Sequence, residues 1–134
     1  ADAAVTLVEK FPEAARYAER NIKRHGTDNA TLICGDVLNG AANDKEYELI
    51  VSNPPYVPKN EMETVSPEVH YEAEAVFIIA EYKKALKAGG MLAFEVGAGE
   101  AAAVEALLED AGLKEINTEK DLGGICRAVY GIKK

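Results

Sequence analysis

The stretch Leu49-Ile50-Val51-Ser52-Asn53-Pro54-Pro55-Tyr56 decides the fold class of this chain of 134 residues. Its apolar first half, together with the two residues before it, predicts a β-strand over residues 47–52. Two consecutive prolines hold the backbone in an extended path and remove two N–H donors, so the strand must end at Asn53. In open α/β sheets, ligands bind beyond the carboxyl ends of the strands, which makes Asn53 a candidate site residue.

Strand and helix patterns alternate on both sides of this stretch. A polar loop is predicted over residues 57–71. The final two strands are predicted to pair antiparallel through Gly123-Gly124. The predicted strands cover residues 4–9, 31–34, 91–96, 113–119 and 126–132, and the predicted helices cover residues 11–25, 73–88 and 100–111. Residues 1–134 are therefore predicted to form one α/β domain, with a mostly parallel sheet and an antiparallel carboxyl-terminal edge.

Composition narrows the class of protein. The sequence is 48% hydrophobic and 28% charged, which is the balance of a soluble globular protein, and neither a membrane span nor a signal peptide is visible. Cys34 and Cys126 lie in apolar runs, which predicts reduced, buried thiols and a cytoplasmic location. No CxxC motif or His pair has ligand spacing, so we expect no metal site. A net charge of −8 disfavours a nucleic-acid substrate, because phosphate contacts normally need a basic surface.

Three polar residues follow the ends of different predicted strands: Glu9, Asp36 and Asn53. Each has an ordinary structural interpretation, since an acid after a strand is commonly a helix cap or a turn former, and Glu9 could be a solvated charge beside Lys10. Their recurrence on three successive strands favours a binding site over three unrelated turns.

The chemistry of residues 53–56 suits a primary amide or an amino group. Pro54 and Pro55 leave carbonyl groups that can only accept hydrogen bonds, and the side chain of Asn53 adds another acceptor. An NH2 group needs two such acceptors, and the ring of Tyr56 can stack on a planar amide or base. A lone Pro-Pro pair would indicate only a rigid loop after an edge strand, but Asn before it and Tyr after it favour the functional interpretation.

Four segments, in order along the chain, carry a resemblance to a known family. Leu49–Val57 resembles the amino-methyltransferase signature Asp/Asn/Ser-Pro-Pro-Tyr/Phe/Trp in its NPPY form. Pro67-Glu68-Val69-His70-Tyr71-Glu72 resembles the "PEVR-aromatic-E" stretch of the peptide chain release factor N5-glutamine methyltransferases, the HemK family. Phe94–Glu100 is similar to their "LEIGxxQ" stretch, and Asp121–Val129 is similar to their "DLxGxxRvv" stretch.

The resemblance implies a Rossmann-like fold of the class I methyltransferases and S-adenosylmethionine as the cofactor. It implies that Glu9 accepts hydrogen bonds from the two ribose hydroxyls and that Asp36 meets the adenine amino group. Phe11 and Val37 would be apolar walls of the same cofactor site, and Asn53 would border it.

The resemblance also implies the reaction. Asn53 and Pro54 would hold the side-chain amide of a glutamine, and Pro55 and Tyr56 would complete that corner, with Tyr56 packed against the amide plane. The acceptor would be the glutamine of a Gly-Gly-Gln loop in a peptide chain release factor.

The sequence departs from the family pattern at its amino terminus. The family's first strand, its D-x-G-x-G-x-G loop and its amino-terminal helical domain have no counterpart here, so we expect a truncated domain with a gapped or rearranged sheet. An exposed sheet edge would invite homodimerisation. Gly97-Ala98-Gly99 is a weak substitute for the missing loop, because Ala102 stands where a third glycine would complete GxGxxG. Ala73 replaces an expected proline.

Two other functions stay open from the sequence. One is a nucleic-acid amino-methyltransferase that acts on adenine or guanine, since NPPY serves those substrates as well. The other is a non-catalytic, truncated domain that keeps the fold without cofactor affinity. His25 is expected at the end of a helix, and His70 is expected at the rim of the substrate site, with neither acting in catalysis.

Overall fold

The computed structural model describes residues 3–54 and 67–134. The strands are β1 (Val5–Glu9), β2 (Ala30–Cys34), β3 (Tyr47–Ser52), β4 (Leu86–Glu95), β5 (Lys114–Lys120) and β6 (Cys126–Ile132). The helices are α1 (Pro12–His25), α2 (Pro67–Tyr82) and α3 (Ala101–Asp110), with a short 3-10 turn at Val37–Asn39. Strands and helices alternate as predicted, which confirms the α/β class.

Residues 1–45 form one compact unit. In it β1 pairs parallel with β2, with Glu9 opposite Cys34. Helix α1 buries Ala15. Gly26 ends this helix at φ 60°, a left-handed conformation that glycine adopts at low cost, as predicted from the sequence. Cys34 is exposed and Cys126 is only half-buried, so the prediction of two buried thiols is wrong. Cys34 is the last residue of β2, at the end of a two-stranded sheet that leaves other apolar side chains exposed as well.

Residues 46–134 form the second unit, a four-stranded sheet in the order β3-β4-β6-β5. β3 and β4 are parallel, whereas β4 with β6 and β6 with β5 are antiparallel, which confirms the predicted final strand pair. Burying a large apolar side chain contributes about 1.5–3 kcal/mol. The fully buried large side chains are Phe94, Leu86, Leu92, Leu108, Leu113, Val96, Val104 and Val129.

The described strands form two sheets, so β1 and β3 each hydrogen-bond to a neighbouring strand on one side only. These two strands leave apolar side chains exposed, with Val5 and Leu7 on β1 and Leu49 and Val51 on β3.

The predicted bounds of the middle helix and the following strand are wrong. The helix begins at Pro67, inside the predicted loop, and ends at Tyr82 instead of continuing to residue 88. Leu86, predicted to be helical, begins β4 and is buried there, and Gly89-Gly90 lies within the strand instead of ending the helix. The strand begins early because Tyr47 donates its N–H to Ala85 O at 2.8 Å, and residues 89 and 90 exchange backbone hydrogen bonds with Lys133.

Within the described residues, none of the helices combines the length and the apolar character that a membrane crossing requires.

Candidate functional site

Glu9 lies at the end of β1, and its carboxylate is held beyond the strand. Its Oε1 accepts a hydrogen bond from the backbone N–H of Phe11 at 2.8 Å. Its backbone oxygen accepts from the N–H of Gly35 at 2.9 Å, which ties the turn after β2 to the end of β1. Oε2 has no hydrogen bond within residues 3–54 and 67–134, so this oxygen is free to accept from a ligand hydroxyl.

Asp36 lies on the neighbouring strand end, and its two carboxylate oxygens have different partners. Oδ1 accepts the N–H of Leu38 at 2.9 Å and caps the 3-10 turn, which is the structural role that the sequence allowed for. Oδ2 lies 2.9 Å from Nζ of Lys10. The hydrogen bond from Lys10, followed by that from Leu38, lowers the pKa of Asp36, because both bonds favour the ionised carboxylate.

Two apolar residues adjoin these acids. Phe11 follows Glu9 closely and is 63% exposed, and Val37 follows Asp36 and is half-buried. The structure therefore brings all four of these predicted cofactor residues to the carboxyl-terminal end of the β1–β2 pair. Their roles in binding stay predictions.

Lys10 also belongs to this group of residues at the end of the β1–β2 pair, although the sequence indicated it only as a neighbour of Glu9. It neutralises Asp36 across two strands that are parallel neighbours. The signal that could have found it is the parallel pairing itself, because the residues after Glu9 and after Cys34 then emerge side by side.

Asn53 follows β3 directly in the second unit. Its side chain is exposed and has no hydrogen bond to any described residue, whereas Pro54 is buried. The other two members of the predicted corner, Pro55 and Tyr56, lie outside the described residues, and so the predicted stacking of Tyr56 stays a prediction.

Gly97-Ala98-Gly99 also follows a strand, β4, but the N–H of Gly97 is hydrogen-bonded to Glu100, the residue just before α3. Gly97 donates its N–H to Oε2 of Glu100 at 2.8 Å, and Glu100 donates its N–H to Gly97 O at 3.2 Å. These reciprocal bonds close a turn over residues 97–100, just before α3 begins at Ala101, and they occupy the Gly97 N–H that a glycine-rich binding loop would offer to a ligand. The geometry therefore does not favour this segment as a substitute for the missing glycine-rich loop.

Arg127 braces the final strand pair. Its Nε lies 2.9 Å from Oδ2 of Asp121, and its backbone oxygen accepts the N–H of Val96 at 2.9 Å. Hydrogen bonds from Arg127 first, and then from the N–H of Ile125 and the N–H of Gly123, lower the pKa of Asp121. The turn between β5 and β6 is thus organised around one ionised carboxylate.

No cluster of three or more His, Cys, Asp or Glu side chains with the geometry of a metal site exists among the side chains that the structure describes.

Comparison with protein families places these features in context. The model of the "Methyltransferase small domain" family matches residues 1–112. The chain is 37% identical over 140 residues to the release factor glutamine methyltransferase of Caulobacter vibrioides, covering 94% of this chain and 48% of that protein. It is 35% identical over 117 residues to the ribosomal protein uL3 glutamine methyltransferase of Francisella tularensis, covering 78% of this chain and 37% of that protein. The chain spans about half the length of the release factor methyltransferases it matches.

The solved structures with a similar fold include two proteins that are named methyltransferases. A methyltransferase from Pyrococcus furiosus superimposes with a TM-score of 0.76 at 21% identity, covering 96% of this chain and 61% of that chain. A SAM-dependent O-methyltransferase from Thermotoga maritima does so with a TM-score of 0.72 at 16% identity, covering 96% of this chain and 49% of that chain. At these identities the likeness concerns the fold alone, and it confirms the predicted Rossmann-like fold class.

Proposed function

The chain belongs to the methyltransferase small domain family, and from this premise we propose that the protein methylates the side-chain amide nitrogen of a protein glutamine. S-adenosylmethionine is the proposed methyl donor. The proposed acceptor is the glutamine in the Gly-Gly-Gln loop of a peptide chain release factor. Similarity to relatives that are named release factor glutamine methyltransferases supports the proposal, as do the segments that resemble them. A release factor acts in translation, so the proposed location is the cytoplasm.

The observation that carries the proposal is the state of Asn53. This side chain stands exposed at the end of β3, without a hydrogen bond to the described residues, and is followed by the donor-free, buried Pro54. Its amide oxygen is therefore available to accept an N–H from a substrate amide, and the Pro54 carbonyl is the proposed second acceptor.

An amide nitrogen is a poor nucleophile because its lone pair is delocalised into the carbonyl group. Two acceptors that grip its N–H bonds orient this lone pair toward an electrophile, which is a gain from positioning and electrostatics. No strong base is needed at the start, since the proton can leave after the nitrogen has become cationic. Pro55 and Tyr56 are proposed to complete the corner.

The proposed cofactor, when bound, supplies an electrophilic methyl group on a sulfonium. The acceptor chemistry at the end of β1 fits its donor groups, because Oε2 of Glu9 is free to accept from ribose hydroxyls. The ionised Asp36 is the proposed partner of the adenine amino group, and the exposed ring of Phe11 with Val37 would cover the base.

Substitution of Asn53 tests the proposal. Transfer of labelled methyl from S-adenosylmethionine to a purified release factor is measured for the intact protein and for Asn53→Ala. Loss of one positioned polar group in a catalytic site typically lowers kcat by about 10²–10³-fold. Asn117→Ala is the matched control, since Asn117 donates only to the nearby Glu115 backbone oxygen at 2.8 Å. Wild-type rates in Asn53→Ala, within about threefold, would contradict the assignment.

The same assay separates the alternatives. Ribosomal protein uL3 is included as an acceptor because one relative carries that activity in its name. Labelling of RNA or DNA in place of either protein would support the nucleic-acid alternative, against which the net charge of −8 argues. A release factor whose loop glutamine is replaced by alanine should accept no label.

A homodimer through an exposed strand edge is a further proposal about assembly. It rests on the exposed Leu49 and Val51 of the edge strand β3. Light scattering tests it, and a monomeric mass at micromolar concentration would reject it.

A further inference from the structure

The turn between β5 and β6, residues 121–125, presents apolar side chains to solvent. We call this segment the hairpin tip. Leu122 is fully exposed and Ile125 is 41% exposed. Single exposed apolar residues are common on protein surfaces, but two within one five-residue turn form a local apolar patch that the fold itself does not use.

The hairpin tip is held in one conformation by its own hydrogen bonds. Asp121 Oδ1 accepts the N–H groups of Gly123 at 2.8 Å and Ile125 at 3.1 Å, while Oδ2 pairs with Arg127. The backbone adds a bond from Asp121 N–H to Ile125 O at 2.8 Å and one from Gly124 N–H to Asp121 O at 2.9 Å. A tip fixed in this way presents Leu122 with little entropy left to lose on binding, which is the condition for an effective docking contact.

The strand register places the hairpin tip at the end of the sheet where Asn53 lies. β3 and β4 run parallel with Ser52 opposite Phe94, so both strands finish at this end of the sheet. β6 runs antiparallel to β4 and begins at the same end, with Ala128 opposite Glu95. Neighbouring strands are about 4.8 Å apart, so two to three spacings put the tip roughly 10–15 Å from Asn53.

We infer that the hairpin tip docks the glutamine-bearing protein, with Leu122 inserted against an apolar surface of that partner. The inference rests on the proposed function of Asn53. An extended chain advances about 3.3–3.6 Å per residue, so three to five residues of the acceptor span the distance from Asn53 to the tip.

The charges at the tip favour a protein partner over a nucleic acid. The chain carries a net charge of −8, and Arg127, one of the two cations that flank the tip, is paired with Asp121. The tip therefore offers an apolar side chain and a neutralised ion pair, whereas phosphate recognition needs unpaired cations.

The test compares two acceptors in the intact protein, a release factor and the one-residue peptide acetyl-glutamine-amide, which is too short to reach the tip. Leu122→Ser should raise KM for the release factor by about tenfold, with kcat unchanged, because a buried leucine contact is lost. It should leave kcat/KM for the peptide within twofold of wild type. Val76→Ser is the matched control, since Val76 is 49% exposed in the middle of α2.

The outcomes separate the two proposals. If the wild-type protein methylates neither acceptor, the proposed function is rejected, and the docking role is rejected with it. If wild type methylates both acceptors but Leu122→Ser leaves KM for the release factor unchanged, the docking role alone is rejected. An equal loss with both acceptors, or a lowered melting temperature in Leu122→Ser but not in Val76→Ser, would also reject docking, because it would indicate a structural effect.

Discussion

Gly90 of β4 should not tolerate a side chain, because main-chain atoms of β3 and β4 surround the position that a Cβ atom would take. The register between β3 and β4 shifts from Tyr47 opposite Leu86 to Leu49 opposite Met91, so residues 87–90 form an irregular, bulged segment. A Cβ added at Gly90 would lie 2.9 Å from Lys87 O, 3.1 Å from Tyr47 O and 3.2 Å from Glu48 O. All three neighbours are main-chain atoms, so relief requires a shift of the strand.

The magnitude follows from two contributions. Overpacking of a tight site costs about 1–3 kcal/mol. Gly90 O also accepts the N–H of Lys133 at 2.9 Å, and a shifted strand would weaken this bond, at a cost of about 1 kcal/mol. Gly90→Ala should therefore lower the free energy of unfolding by about 2–4 kcal/mol.

Gly89→Ala is the matched control, since Gly89 has φ 78° but nothing within 4 Å of an added Cβ. Its cost should be the left-handed strain alone, about 1 kcal/mol. Urea denaturation of both variants, followed by circular dichroism, measures the two free energies. A Gly89→Ala variant as destabilised as Gly90→Ala, or more so, would refute the reasoning, because the backbone contacts of Gly90 would then contribute nothing.

Two further predictions concern the acids at the strand ends. Glu9→Ala should weaken binding of S-adenosylmethionine to the intact protein by about 10–100-fold, since hydrogen bonds to a charged acceptor contribute about 1.5–3 kcal/mol. Calorimetry measures this affinity, with Glu19→Ala as the control. Unchanged affinity in Glu9→Ala would count against the cofactor role. The lowered pKa of Asp121 predicts a turn that is fully stabilised above the ordinary Asp pKa of about 3.9 and loosens as the pH falls through the lower, folded-state pKa. Amide proton shifts of Gly123 and Ile125 should titrate there by NMR and lose this titration in Asp121→Asn, whereas shifts that stay constant down to low pH would disprove the proposed turn.

Elements with strong local signals were predictable from the sequence. The bounds of β3 were predicted to the residue, because an apolar run meets a polar residue and two prolines. The end of α1 was predicted because Gly26 follows a helical pattern that runs to His25, and glycine commonly ends a helix. The final antiparallel pair was predicted because two strand patterns flank a glycine-containing turn.

The sequence predicted which residues belong to the candidate site better than it predicted the contacts between them. The prediction placed Glu9, Asp36 and Asn53 at or beyond strand ends. In the structure Glu9 is the last residue of β1, and Asp36 and Asn53 follow β2 and β3. The pairing of Lys10 with Asp36 was not predicted, because it depends on two strands that are distant in sequence lying side by side.

The sequence by itself determined where strands stop and which polar groups follow them, because proline and glycine act on the backbone of their own neighbourhood. Only the tertiary structure decided that Leu86 to Gly90 extends a strand instead of a helix. The partners that satisfy this backbone, Tyr47 and Lys133, come from about 40 residues away on either side. Local propensity is worth under about 1 kcal/mol per residue, and hydrogen bonds and burial against such distant partners outweigh it.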